Sequence, residues 1–295
     1  MHTMRSPWIR PLLMILPFFV ICSCASLRTK MMLANIKPMR ESVKAAVNKS
    51  TDTGLVRDGM PASLLQMDGF IEMAPDNQEL LVAAAESYSG YAFAFVEETD
   101  PKRAANLNLK ARGYALRALA DNEDFIQALD KPLDDFTPTL AAFEKEDVPA
   151  LFYAANTWLK YISFNLDNPE LLMDIPKVEA MMFRIEELDD QFMYGSIHAM
   201  LGAYYAARSK TLGGQPELAK AHFDKAFEIS GNKYLVFHFL YARFYAVQLQ
   251  DQALFEKTLQ QIIDAPPGLM PEKNLVNEIA REKARKLIAQ ADEFF

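Results

Sequence analysis

The sequence predicts an all-α fold, a tetratricopeptide-like helical repeat array in which antiparallel helix pairs stack into an α-α superhelix. Composition is the first observation, because helix-favouring alanine, leucine, methionine, lysine and glutamate are frequent and glycine occurs only 11 times in 295 residues. The second is that apolar residues recur every three or four positions, the spacing of one helical face. The third is the pattern A-x3-F-x2-A at Ala219, Phe223 and Ala226, which is typical of the second helix of a tetratricopeptide repeat.

The first part of the chain predicts two helices separated by a loop. Residues 30–49 form the first helix, with Pro38 as a kink or boundary. Residues 48–59 are polar and contain two glycines, so we expect a loop there. Pro61 suits the first position of a helix that continues to Met73.

Residues 77–97 and 100–119 predict the first antiparallel helix pair. Each segment has small and aromatic residues on one face, and Asp100-Pro101 marks the start of the second helix. At Ala104, Asn108 and Ala111 the repeat pattern recurs without its aromatic residue. The repeats are therefore expected to be degenerate.

Further helix pairs follow towards the C-terminus. The predicted pairs are residues 148–164 with 176–188, 196–208 with the helix that follows Pro216, and 234–249 with 252–264. Pro266-Pro267-Gly268 precedes a last helix over residues 271–292, and residues 130–138 are expected to be an irregular insertion.

The N-terminus resembles an export signal that ends in a lipidation site. Arg5 and Arg10 precede an apolar run over residues 11–21, which is shorter than the roughly 18 residues needed to span a bilayer. The run ends in Ile21-Cys22-Ser23-Cys24. Because Ser23 supplies the small residue expected before a lipidated cysteine, we predict lipidation at Cys24 rather than Cys22. The alternatives are an ordinary cleaved signal and an uncleaved anchor.

These readings divide the chain into three parts: a lipoprotein signal over residues 1–23, a lipid-anchored tether with one short helix over 24–59, and a helical domain over 60–295. Several acyl chains would hold the domain at a membrane. Without residues 1–23, 29 basic residues face 39 acidic ones, and the net charge of −10 argues against a nucleic-acid partner.

No catalytic or cofactor motif is present in the sequence. It contains no G-x-S-x-G, no phosphate-binding glycine loop and no H-E-x-x-H, and the three histidines after the signal have no metal-ligand spacing. We therefore expect a protein that is not an enzyme and has no cofactor or metal. Acidic pairs such as Glu186 and Glu187 are interpreted as solvated surface.

Two cations lie on otherwise apolar helical faces. Lys160 shares a face with Tyr153 and Phe164, and Arg243 falls on the line of Val236, Leu240 and Val247. Each is interpreted either as a salt bridge or a side chain that extends to water, or as a contact for an acidic ligand inside a cavity. Aromatic residues clustered on three helices could line that cavity or simply fill the core. The cavity candidates are Tyr91, Phe95, Lys160, Tyr204, Tyr205, Tyr241, Arg243 and Tyr245.

Four segments resemble the T component that accompanies some TRAP (tripartite ATP-independent periplasmic) transporters. They are residues 88–96 (YSGYAFAFV), 174–180 (DIPKVEA), 201–207 with 212–214 (LGAYYAA and LGG), and 241–251 (YARFYAVQLQD). The resemblance covers roughly residues 60–290.

The resemblance implies a periplasm-facing, lipid-anchored protein that associates with the substrate-binding (P) subunit of the transporter. It also implies self-association, with a trimer as the expected form, and a hydrophobic channel or cavity for apolar or amphipathic acids. The residue after Cys24 is Ala25 and not the aspartate that retains some lipoproteins in the inner membrane, so the outer membrane is favoured.

Two other functions remain open from the residues alone. One is a stand-alone carrier that holds a lipid or hydrophobic acid. The other is a scaffold for envelope assembly that binds peptides, because a repeat fold does not fix function.

Overall fold

The computed structural model describes residues 36–208 and 213–295, and the predicted signal and Cys24 lie outside them. The described residues contain helices and turns but no strand, which confirms the all-α prediction. Residues 48–295 form one compact unit, and the chain up to Val47 forms a separate one. Residues 36–49 are helical (α1), so the described part of the first predicted helix is confirmed.

Thirteen further helices are found in the described residues. They are α2 Thr53–Met73, α3 Gln78–Tyr91, α4 Pro101–Ala118, α5 Glu123–Ala128, α6 Leu133–Phe136, α7 Val148–Ser163, α8 Pro169–Leu172, α9 Ile175–Asp189, α10 Phe192–Ala206, α11 Pro216–Ser230, α12 Leu235–Leu240, α13 Gln252–Asp264 and α14 Asn274–Ile288. Two π-helical segments, Ala92–Val96 and Tyr241–Ala246, continue α3 and α12. The predicted helix pairs are therefore present, with ends shifted by a few residues.

Side-chain caps explain where several of these helices begin. Asn77 and Asp100 each accept a hydrogen bond from the backbone N–H three residues further on, and Asn122 and Asp251 do the same. A cap satisfies one of the N–H groups that a helix start leaves without a partner, which is worth about 1 kcal/mol. The helix starts are thus encoded locally in the sequence.

The predicted loop over residues 48–59 is wrong beyond its first few residues. Helix α2 begins at Thr53, where Asp52 caps the N–H of Leu55, and Pro61 lies inside the helix rather than at its first position. Val56, Leu64 and Ile71 bury one side of α2. This burial offsets the cost of an internal proline and of the exposed glycines, which local propensity alone could not show.

Consecutive long helices pack against one another in chain order. Contacts join α2 to α3, α3 to α4, α4 to α7, α7 to α9, α9 to α10 and α10 to α11, and then continue through α12 and α13 to α14. Connections of four residues join α2 to α3 and α11 to α12, and connections this short place consecutive helices antiparallel. Helix α14 also contacts α2, and Thr53 donates a hydrogen bond to Glu282. The last helix therefore returns to the first one of the compact unit.

The repeat signature packs as its spacing predicts. Ala219, Phe223 and Ala226 are fully buried, and the ring of Phe223 faces Gly202 of α10, where a Cβ atom would lie only 2.8 Å from the ring. At the position without an aromatic, Asn108 is buried and donates a hydrogen bond to the carbonyl of Ala104 at 2.8 Å. A polar contact within the helix replaces the aromatic wedge there.

The predicted irregular insertion over residues 130–138 is more ordered than expected. It contains α6 and the start of a 3₁₀ helix, Thr137–Ala142. Phe125 contacts Phe136 and Phe143 at ring-centroid distances of 5.5 and 4.9 Å. This small aromatic core explains the order, because such pairs add to the free energy of apolar burial.

Candidate functional site

Two π-helical segments hold half of the predicted cavity residues. The first segment begins directly after Tyr91 and contains Phe95. Tyr241, Arg243 and Tyr245 lie in the second segment. In the first segment, the N–H of Glu97 donates to the carbonyl of Ala92 at 2.9 Å, the five-residue spacing of a π-helix. π-Bulges are rare and occur frequently at functional sites, so these segments mark the candidate region.

A cluster of charged side chains follows the first π-helical segment, and we call it the lysine–glutamate cluster (Glu97, Glu98, Lys160, Lys283, Lys286). Lys283 Nζ of α14 lies 3.0 Å from Glu97 Oε1 and 2.7 Å from Glu98 Oε1. Lys160 Nζ of α7 lies 3.3 Å from Glu97 Oε2. Lys286 Nζ lies 3.0 Å from Glu98 Oε2. The cluster thus connects the ends of α3, α7 and α14.

Every carboxylate of the lysine–glutamate cluster is paired with two lysine ammonium groups. Burial raises the pKa of Glu97, but the ammonium groups of Lys160 and Lys283 outweigh that effect, and the pKa is lower than usual. The same balance, with Lys283 and Lys286, lowers the pKa of Glu98. The Lys283 side chain is only 3% exposed and lies over the ring of Phe93, with its Nζ 4.7 Å from the centroid. These buried charges are compensated by neighbours, as burial requires.

A second aromatic group surrounds the other π-helical segment. Tyr241 stacks on Tyr245 with ring centroids 4.8 Å apart and meets the ring of Phe223 edge-on at 5.3 Å. Tyr204 and Tyr205, both buried, lie on neighbouring α10 with centroids 5.3 Å apart. Burial, followed by the neighbouring Tyr245 hydroxyl, raises the pKa of Tyr241 to about 12. The eight cavity candidates therefore divide between two regions, one around each π-helical segment.

Arg243 does not lie on the apolar line expected from helical spacing. It is exposed, whereas Val236 is buried and Leu240 and Val247 are half-buried. The π-helical segment has five-residue hydrogen bonds, and the wider turn rotates the following residues relative to an α-helix. An α-helical projection therefore placed Arg243 on the wrong face.

A third polar group connects α2, α3 and α4, and we call it the Asp68 network (Asp68, Tyr88, Lys110, Tyr114). Asp68 accepts hydrogen bonds from Tyr88, Tyr114 and Lys110, each at 2.7 Å. Burial first, and then Asp68, raise the pKa of Tyr114 to about 12. Burial alone would raise the pKa of Asp68, but its three donors lower it below the usual value. This network connects α2, α3 and α4 and stabilises their packing.

Backbone strain is concentrated where α10 begins. Met193, Tyr194 and Gly195 have positive φ angles of 47°, 64° and 82°. A left-handed conformation costs roughly 1–2 kcal/mol for each residue with a Cβ atom. The ring of Tyr194 contacts that of Tyr234 at 5.6 Å, and the hydroxyl of Tyr153 donates to Met193 Sδ at 3.2 Å. These contacts hold the strained turn in place.

Two of the surface depressions formed by the described residues are lined by none of the predicted cavity residues. One, of about 440 Å³, lies on α13 beside Lys257 and Asp264. The other, of about 530 Å³, lies between α5 and Ala142. Among the described residues, no helix has the length and apolarity to cross a bilayer. The expected ligand cavity stays a prediction, as does lipidation at Cys24.

Sequence reasoning found Lys160 but missed its partners. A usable signal existed for Lys283, because Ile279, Lys283 and Leu287 follow one another at four-residue intervals and all three are buried. Glu97 and Glu98 had no comparable signal, since they follow the π-helical segment at the end of a predicted helix. The sequence also gave no indication that His198 and His222, 24 residues apart, would meet.

Comparison with known proteins finds the same family that the four sequence segments resemble. The model of a family described as the TRAP transporter T-component matches residues 49–295, which is most of the chain and all of the helices from α2 onwards. An uncharacterized protein of Treponema pallidum (strain Nichols) is 23% identical over 267 residues, and the alignment covers 83% of this chain and 80% of that protein. The family match extends through the two π-helical segments and the lysine–glutamate cluster.

Proposed function

The chain belongs to the TRAP transporter T-component family, and on that premise we propose that it is a non-enzymatic accessory subunit that docks the substrate-binding (P) subunit of its transporter. The family match over residues 49–295 carries this proposal. The fold is compatible with it, because stacked helix pairs provide extended surfaces for another protein.

Docking can be tested on the full-length chain in its own membranes. After chemical cross-linking in intact cells and solubilisation in detergent, we expect the P subunit to copurify with the chain and to be identified by mass spectrometry. Cells grown without induction of the transporter provide the control. Recovery of the chain without P subunit, although the periplasm contains it, would contradict the proposal.

We also propose that the domain is anchored by acyl chains on Cys24 and faces the periplasm, with the outer membrane favoured. Cys24→Ser should release the protein into the soluble fraction, with unchanged far-UV circular dichroism and unchanged P-subunit binding. Fractionation of the cell envelope distinguishes the outer from the inner membrane. Retention of Cys24→Ser in the membrane would contradict the anchor.

A second candidate function is to hold or relay a hydrophobic or amphipathic acid. The observation that favours it is the position of two cations beside aromatic rings, since Lys160 Nζ lies 5.4 Å and Lys283 Nζ 4.7 Å from the centroid of Phe93. An acid with an apolar tail would exchange its carboxylate for that of Glu97 and lay its tail against the rings. The same chemistry would serve a stand-alone carrier.

Native mass spectrometry with decanoate as the probe tests ligand binding. We expect one bound decanoate per chain, and a loss of binding in Lys160→Met. Lys233→Met, at an exposed position, is the matched control. Equal binding by wild type and Lys160→Met would exclude this site, and no binding by either would favour the scaffold alternative.

Self-association as a trimer is the remaining part of the proposal. Light scattering of the full-length chain in detergent, corrected for the detergent, should give a mass near three times 33.4 kDa. A mass that remains monomeric across the accessible concentration range would contradict it.

A further inference from the structure

Two histidines and two carboxylates from three consecutive long helices meet in one place, and we call them the histidine cluster (Glu186, Asp190, His198, His222). Glu186 and Asp190 come from the C-terminal end of α9, His198 from α10 and His222 from α11. The two rings stack with centroids 5.5 Å apart, and the ring of Tyr205 also stacks with His222 at 5.7 Å. Ring packing thus restricts the orientation of His222.

We propose that this cluster is a zinc-class metal site in which His198 Nδ1, His222 Nδ1 and Glu186 Oε1 are the protein ligands. This site is independent of the docking function proposed above. Its ligand types match zinc chemistry, because two imidazoles and one carboxylate select a borderline cation such as Zn²⁺ over Mg²⁺ or Ca²⁺, which prefer oxygen ligands.

The distances between the three ligand atoms fit a single metal ion. The two Nδ1 atoms are 3.2 Å apart, and Glu186 Oε1 lies 3.4 Å from His198 Nδ1 and 3.7 Å from His222 Nδ1. A tetrahedral Zn²⁺ with bonds of about 2.0–2.1 Å separates its ligand atoms by about 3.3–3.4 Å. A triangle with the observed sides has its centre about 2.0 Å from each corner, which is a normal zinc bond length.

The second ring nitrogen of His198 supports the same assignment. His198 Nε2 is buried without a partner within hydrogen-bond distance, and Asp190 Oδ2 lies 3.7 Å from it. A histidine that binds a metal through Nδ1 carries its proton on Nε2 and usually donates it to a carboxylate. Asp190 lies where that carboxylate is needed, and a small movement would complete the hydrogen bond.

Without a cation, the two rings can form one hydrogen bond with each other. His198 Nδ1 and His222 Nδ1 lie 3.2 Å apart, and the tautomers decide which ring donates. If His222 donates, Glu186 Oε1 faces the bare His198 Nδ1 at 3.4 Å; if His198 donates, its bare Nε2 faces the Asp190 carboxylate at 3.7 Å. A divalent cation would bind both Nδ1 atoms and Glu186 at once and leave a proton on Nε2 for Asp190. The hydrogen bond between the rings is the competing arrangement, and the experiment below distinguishes the two.

The cluster is partly open to solvent on the side of its carboxylates. The side chains of Glu186 and Asp190 are 31% and 39% exposed. Water or a ligand from a partner could therefore reach a fourth position on a metal held by three protein ligands.

Metal titration of the full-length chain tests the site directly. The chain is purified in detergent with a tag that contains no histidine, stripped with chelator, and titrated with Zn²⁺ and with Co²⁺. We expect one equivalent per chain, and the visible d–d bands of a four-coordinate Co²⁺ centre without thiolate charge-transfer bands. At a Zn²⁺ concentration of 100 Kd, the midpoint of thermal unfolding should rise by about 5–10 °C.

Matched variants identify the ligands. His222→Gln should weaken Zn²⁺ binding at least 100-fold, and Asp190→Asn should weaken it by about 10-fold, as expected for a residue that positions a ligand. His238→Gln, which alters a histidine outside the cluster, should bind like wild type. His222 is the first target because its side chain is partly exposed and the apo variant is expected to fold, as circular dichroism will show.

Three results would overturn the proposal. One is that folded wild-type protein binds no stoichiometric Zn²⁺, which would leave the hydrogen bond between the two rings as the arrangement of the cluster. A second is that His222→Gln and the double variant His198→Gln/His222→Gln retain wild-type affinity, which would place the metal elsewhere. The third is a Co²⁺ spectrum with thiolate bands, which would assign the metal to cysteine.

Discussion

The lysine–glutamate cluster and the histidine cluster are both buried polar groups that connect helices distant in sequence, but they differ in how their charges are balanced. In the first, each carboxylate lies within 3.3 Å of a lysine ammonium, and the same carboxylates are shared between lysines. In the second, one hydrogen bond joins the two histidine rings, and His198 Nε2 lacks a partner within hydrogen-bond distance.

This difference predicts how each cluster responds when a member is removed and when a cation is added. A cluster that satisfies its own charges loses stability when one member is removed, since the remaining charge stays buried. A cluster that leaves polar atoms unpaired carries a cost in the isolated chain, and a bound cation removes that cost. The lysine–glutamate cluster is therefore expected to respond to mutation, and the histidine cluster to pH and metal.

The largest expected effect comes from Lys283→Met. Removing this buried ammonium leaves Glu97 and Glu98 under-compensated, and we expect the free energy of unfolding to fall by about 3 kcal/mol. Lys286→Met on the same helix contacts the same Glu98 but is 63% exposed, so its loss should cost less than about 1 kcal/mol. Urea unfolding followed by circular dichroism measures both. Equal losses in the two variants would show that burial does not distinguish these lysines.

The next effect is a pH dependence assigned to the histidine cluster. The pKa of His222 is about 4 in the folded state and about 6.5 when unfolded, so the unfolded chain binds more protons and stability falls as pH falls through this window. The raised pKa of Glu186 acts in the opposite direction. In the presence of chelator, we expect a net loss of about 1–2 kcal/mol between pH 7 and pH 5.

His222→Gln should flatten the dependence of stability on pH, whereas Lys283→Met should leave it unchanged. The pKa values of Glu97 and Glu98 are lowered, so these carboxylates titrate below the range from pH 7 to pH 5. Burial also lowers the pKa of His238, so His238→Gln measures the contribution of His238 to the pH dependence of stability. If the free energy of unfolding of His222→Gln depended on pH as strongly as that of wild type, the histidine cluster would not be the cause of the pH dependence.

A smaller effect is expected in the Asp68 network, which satisfies its own charges like the lysine–glutamate cluster. Tyr114→Phe removes one of three donors to Asp68 and should lower the free energy of unfolding by about 1 kcal/mol. It should also raise the pKa of Asp68, which NMR titration of the carboxyl carbon can follow. A change in unfolding free energy above about 3 kcal/mol would mean that the remaining donors cannot compensate.

The smallest effect on stability is expected for an exposed residue, Arg243, and this variant serves as the reference for the others. Arg243→Gln changes an exposed cation in the second π-helical segment, and we expect a change in unfolding free energy below about 0.5 kcal/mol. A loss of P-subunit or decanoate binding without loss of stability would give Arg243 a recognition role. A loss of stability above 1 kcal/mol would contradict its exposed position.

Much of the fold follows from local sequence. Asn77 and Asp100 cap the starts of α3 and α4, as expected for asparagine and aspartate. Phe223 is buried together with Ala219 and Ala226, as the repeat spacing predicts. The errors arise where local rules compete with packing. Pro61 was interpreted as a helix start, but burial of Val56 extends α2 past it towards the N-terminus.

The candidate sites were less predictable than the fold. Lys160 was identified from its helical face, and Lys283 could have been identified in the same way. Arg243 was placed on an apolar face because α-helical spacing does not hold through a π-helical segment. The four members of the histidine cluster each resemble ordinary surface or core residues when considered singly.

The sequence by itself determined the helical fold, the helix pairs, the repeat signature and the family resemblance. These depend on spacings of a few residues, which fix caps, turns and helical faces. Tertiary structure decided which charges meet. Glu97 and Lys283 are 186 residues apart, and His198 and His222 belong to different helices. Such pairs form only when helices return to one another, because the contacts between faces, rather than any local pattern, set their distances.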